Sequence, residues 1–180
     1  MAISFIQIAK DFFINIFAIL GYKVLVWDDE TNPTFTNYQM RGNFARIIEG
    51  DLGSGGNIDI SGDAYISKEN DIFVYGLLVK CNVKNRLNFL QQNVFILNVD
   101  GKLISFDIND DFYSIDEVSI LDEKYFVEID RFLIDKEIMK LLANSTNVEF
   151  KINGEKQTIE GYLSNKNIRR FREFYYDYLL

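Results

Sequence analysis

The chain has no histidine among its 180 residues, and that absence bounds its chemistry before any spacing is considered. Imidazole-activated serine or cysteine nucleophiles, histidine-held metals and imidazole acid–base catalysis are all excluded within the chain. What remains is carboxylate and lysine chemistry, and the acids are plentiful: 27 Asp and Glu against 19 Lys and Arg. Their densest run spans residues 107–123, where Asp107, Asp110, Asp111, Asp116, Glu117, Asp122 and Glu123 occur with no base. Such a run reads as a solvated loop. Asp107, Asp110, Asp111, Asp116 and Glu117 are its candidate contacts for a basic partner.

Other groupings invite a sharper reading and depart from the pattern it requires. Asp107, Asn109 and Asp111 fall on the first, third and fifth positions of a calcium loop. Phe112 then stands where the turn needs glycine, and Val118 where a bidentate glutamate belongs. Residues 50–56, GDLGSGG, lack the Gly-Lys-Ser/Thr ending of a phosphate loop and precede a strand rather than a helix, so they read as a flexible connection. No metal or cofactor is expected. Glu128 and Asp130 share one face of a strand and Glu149 stands beside Lys151, a pattern that cross-strand ion pairing explains. Lys166, Arg169, Arg170 and Arg172 alternate with Phe171, Phe174, Tyr175, Tyr176 and Tyr178. Helical spacing sends the aromatics inward and the basic residues to water, beside Glu173 and Asp177.

With a net charge of −8, the chain repels phosphate backbones, and no nucleic acid partner is expected. Six of the eight excess acids fall in residues 91–180. The single cysteine, Cys81, lies in an apolar run and reads as a buried, inert thiol. Without a disulfide framework the chain suits a reducing compartment, and the cytoplasm is the expected location.

The elements that must position these residues are best marked between 125 and 163. Tyr125, Val127 and Ile129 alternate with Phe126, Glu128 and Asp130. The spacing predicts a helix over 133–143 capped by Asp135, then a strand through Val148, Phe150 and Ile152, and a tight turn at Asn153-Gly154. A second hairpin is predicted at 94–108 around Asp100-Gly101. Residues 71–83 carry apolar side chains on both faces, as a central strand should. Further strands are expected at 22–27, 44–48, 57–60 and 64–66, with a loop over 28–37 and a last helix over 165–179 capped by Ser164. Residues 3–20 are apolar apart from Ser4, Lys10 and a stripe of Gln7, Asp11 and Asn15 at helical spacing. They predict a helix buried in the core or under a partner.

Together these features predict one α+β domain, predominantly antiparallel β, with about seven to nine strands in a curled sheet or sandwich and N-terminal, middle and C-terminal helices. The functional expectation is a non-catalytic acidic protein-interaction module. It would be of the inhibitor or immunity type, or a subunit of a larger assembly or homo-oligomer. Its contacts would come from the acidic run and from Phe5, Phe12 and Phe13. Two alternatives belong to other classes: a carboxylate- or lysine-dependent enzyme, and a peripheral membrane protein attached through residues 3–20.

Overall fold

The computed structural model describes residues 22–67, 69, 72–120 and 123–180. Among them are eleven strands and two helices, every strand pairing being antiparallel. The expected N-terminal helix, with Phe5, Phe12 and Phe13, lies outside the described residues.

Six strands form the first sheet: β1 (Lys23–Asp28), β2 (Phe35–Arg41), β4 (Asn57–Ser67), β5 (Ile72–Val83), β9 (Glu123–Ile134) and β8 (Ser114–Ile120), in that spatial order. Five form the second, in the order β3 (Arg46–Glu49), β11 (Thr158–Leu163), β10 (Val148–Asn153), β6 (Phe95–Val99) and β7 (Lys102–Phe106). β5 lies between β4 and β9, as its two apolar faces demand. The sheets meet through Phe132 of β9, whose ring centroid is 5.4 Å from that of Phe95 and 5.3 Å from that of Phe106. Buried residues from both sheets and both helices make one continuous apolar core.

The helices α1 (Lys136–Asn144) and α2 (Asn165–Tyr178) pack on each other and close the first sheet beside β4. Gly62 makes this approach feasible: a Cβ there would sit 3.1 Å from both Met139 Cε and Phe174 Cε1. Both predicted caps are present. Asp135 accepts the Ile138 N–H at 2.7 Å, and Ser164 forms a reciprocal capping box with Asn167. Asn167 is itself buried and donates to Asn43 Oδ1 at 2.8 Å and to the Phe44 carbonyl at 3.0 Å, fastening α2 to the loop before β3. Arg170 departs from the expected solvent-facing row. Its Nη1 donates to the Gly42 carbonyl at 2.7 Å, and its guanidinium lies 4.7 Å from the centre of the Tyr22 ring.

Several predicted boundaries shift for physical reasons. β2 starts inside the segment read as loop, at Phe35, because its pairing with both β1 and β4 satisfies a backbone that its polar side chains do not advertise. The two short strands predicted at 57–66 are one, with Gly62 serving close packing rather than a break. α1 starts later than predicted because β9 continues to Ile134. The Asp100-Gly101 turn is as expected, with φ of 48° and 89°. Asn153-Gly154 is not a tight turn, since residues 154–157 form the connection and Gly154 N–H donates to the Gln157 carbonyl at 3.0 Å. Glycine is needed at 154 because a Cβ would overlap the Leu87 carbonyl. The glycine run at 50–56 is tied down as well: Gln157 brackets Asp51 through two hydrogen bonds, and the Lys84 N–H donates to the Leu52 carbonyl.

Candidate functional site

The acid-rich run is half turn and half strand. Residues 107–113 form a turn, and β8 then pairs with β9, so this run is not the solvated loop its composition suggests. Among the described residues β8 pairs with β9 alone, which puts β8 at an edge of the six-stranded sheet. Ile115 and Val118 are half-buried, on opposite faces of β8, while Ser114, Asp116, Glu117 and Ser119 are exposed, so it is the continuous ladder with β9 rather than an apolar alternation that makes this acidic segment a strand.

The predicted contact residues are spread along this edge. Asp107 is exposed and accepts the Asn93 N–H at 2.7 Å. Asp110 and Asp111 are exposed in the turn. Asp116 and Glu117 are successive residues of β8 and so point to opposite faces. Glu117 pairs with Lys124 at 2.7 Å, and that partner holds its carboxyl below the usual range. Asp107 and Asp110 reach a common open groove of ≈ 360 Å³, whose lining includes Ser105, Ile108, Phe132 and Leu133. Asp111, Asp116 and Glu117 do not line it.

Behind this edge stand two acids that the sequence reading places wrongly. Glu128 and Asp130 are fully buried, and among the described residues neither forms a cross-strand ion pair. Glu128 accepts the backbone N–H groups of Leu87 and Asn88 and the Tyr113 hydroxyl. Asp130 accepts N–H groups from Asn109 at 3.0 Å and Arg131 at 2.7 Å. Burial raises the Asp130 carboxyl above its ordinary range against the pull of these donors. The Tyr113 hydroxyl is pushed up to about 12, by burial first and then by the Glu128 charge. The available signal was the face these acids share: by alternation Phe126 and Phe132 lie on it too, and Phe132 is core. The outward register instead holds Val127, Ile129 and Arg131.

Arg131 carries the other charged feature near this edge. It reaches across β5 to Asp63 on β4 at 2.6 Å, passing over Gly76, where any Cβ would overlap the pair. Its guanidinium also lies 5.2 Å from the centre of the Phe112 ring, so the acidic turn is held to the sheet by a cation–π contact. Burial raises Asp63 despite Arg131, and its second oxygen has no hydrogen-bond partner.

Chemically, the buried acids act as acceptors for the loops at 87–88 and 109, which fixes the shape behind the edge. The exposed acids are dispersed and give the edge a negative surface. Among the described residues, no group of three or more Cys, Asp or Glu is placed to hold a metal. Cys81 is buried, and burial raises its thiol well above the ordinary value. No helix among the described residues is long and apolar enough to cross a membrane. No protein-family model, curated protein or solved structure matches this chain.

Proposed function

We propose that the protein is a non-catalytic interaction module that receives a basic protein partner along β8 and the turn at 107–113. The observation that carries this reading is an acidic strand at a sheet edge. Among the described residues no strand pairs with the outer side of β8, so its backbone N–H and C=O groups are open there, and Asp110, Asp111 and Asp116 are exposed on or beside it. A partner strand adding there gains main-chain hydrogen bonds, while the acids select for Lys and Arg and speed the encounter. Carboxylate catalysis has weaker support, because Glu128 and Asp130 are occupied by backbone donors and the nearby groove is open. A reducing compartment, the cytoplasm being the simplest, suits the free Cys81 thiol.

The test is affinity capture from the native source with the parent chain and with the Asp110→Lys, Asp111→Lys, Asp116→Lys variant. A basic protein held by the parent, released by salt and lost from the variant supports the proposal. Retention of the same partner by the variant overturns it, and so does the absence of any basic partner.

A further inference from the structure

Two acids of the β8 edge have a cation of their own, Glu117 pairing with Lys124 and Glu123 with Lys84. Asp107 and Asp110 have no ion pair among the described residues, and they are the two that reach the groove between residues 105–110 and the end of β9. One wall of that groove is fixed residue by residue. Asp107 accepts the Asn93 N–H, and the Ile108 N–H donates to the Gln91 carbonyl at 3.0 Å. Asn109 is held twice, its N–H by Asp130 and its side-chain amide by the Arg131 carbonyl at 3.2 Å. The opposite wall carries Leu133, 55 % exposed. Arg131 turns its carbonyl to this side of β9, and by the alternation of an antiparallel ladder Leu133 turns its own the same way.

We propose that this groove holds one lysine or arginine side chain of the basic partner, its cationic head at the Asp107 and Asp110 carboxylates and its alkyl stem on Leu133. The inference rests on the reading of β8 as the contact edge and names the side chain that the partner must bring to it. Charge selects a cation, because both carboxylates and the Leu133 carbonyl are acceptors. Asp130 is raised by burial first, and the Asp110 charge adds to it, so a cation at the groove relieves a repulsion as well as gaining an attraction. Size selects a side chain, since ≈ 360 Å³ lies near the lower end of small-ligand sites. Position ties the groove to the edge. The ladder of β8 with β9 ends at Ser114 and Ile129, while β9 continues to Ile134. Leu133 therefore stands about 13 Å beyond the last rung. A partner strand lying along β8 and running on past Ser114 reaches the groove about four residues after the one opposite Ser114.

The test titrates the full chain, labelled with nitrogen-15, with N-acetylarginine amide and separately with N-acetyllysine amide. N-acetylglutamine amide serves as the uncharged control. Either cation should give saturating amide shifts at Asn109, Asp110 and Leu133, and the control none. The tighter of the two cations assigns the head group. Asp110→Asn should weaken the binding about threefold, whereas Asp111→Asn, which removes the same charge outside the groove, should change it by less than about 1.5-fold. Equal weakening by the two variants, shifts scattered over the acidic surface, or no saturation with either cation overturns the proposal. Affinity capture tells this failure from failure of the edge reading. The test variant is Asp107→Asn with Asp110→Asn, which keeps an acceptor for the Asn93 N–H. A basic partner held equally by the parent and this variant removes the groove and leaves the edge standing. Groove shifts in a chain that captures no basic protein sink the edge reading, and this occupant with it.

Discussion

Glu128 shows how far one side chain can depart from what its type suggests. A carboxylate with two backbone N–H donors and a tyrosine hydroxyl is a structural acceptor, and its value lies in having no competing donor of its own. Glu128→Gln turns one acceptor into an NH₂ group facing N–H groups. It should cost about 2–3 kcal/mol in urea denaturation, whereas Tyr113→Phe, which removes one hydroxyl, should cost about 1 kcal/mol. Asp130 gives a pH test. Because burial raises its folded value, the folded chain holds this proton to higher pH than the unfolded chain, and its contribution to stability falls as pH rises above about 4. Asp130→Asn cannot titrate, so plotting its Tm against pH should remove that downward component relative to the parent. Asp29, drawn down to about 2 by hydrogen bonds from Thr31 and Asn32, works in the opposite sense and loses its contribution as pH falls toward that value. The sequence showed that Glu128 and Asp130 share a face. It did not show which face was inner, because the competing register of Tyr125, Val127 and Ile129 is more apolar.

At the scale of elements, the legible features were those written in local chemistry. Asp135 and Ser164 are side chains whose capping role depends on the next three residues only, and both serve as expected. Ser164→Ala should cost about 1 kcal/mol, measured by chemical denaturation. Less legible were elements whose reason for existing is a distant partner. β2 and β8 have polar or acidic sequences and are strands because β4 and β9 offer complete ladders beside them. Gly62 and Gly154 resemble breaks in sequence, yet each is required by a neighbour that approaches from far along the chain. Gly76→Ala tests the same principle at a charged contact. The new methyl would displace the Asp63–Arg131 pair, leave two partly buried charges apart and loosen Phe112, at a cost of about 3 kcal/mol in denaturation.

For the whole molecule, antiparallel α+β architecture was readable from hairpin signals and periodicity. The division into two sheets was not, because it depends on which strands bypass their sequence neighbours. β4 pairs with β2 and β5 in the six-stranded sheet, while β3, between β2 and β4 in the chain, pairs with β11 in the other. The charge asymmetry was equally visible in composition. Its placement along the edge strand β8 needed the fold. Complex formation at that edge should therefore weaken with added salt, and isothermal titration at two ionic strengths of a partner captured by the parent chain would measure it.

The pairing of β3 with β11 has a consequence for synthesis. The ladder that holds Arg46 and Ile47 comes from Tyr162 and Gly161, more than a hundred positions later. At about 5–20 residues per second, a ribosome needs roughly 6–23 s to travel from one to the other. Throughout that interval the nascent β3 has no ladder to join, and Ile48, still 71 % exposed in the finished protein, is available to chaperones or to a neighbouring polysome.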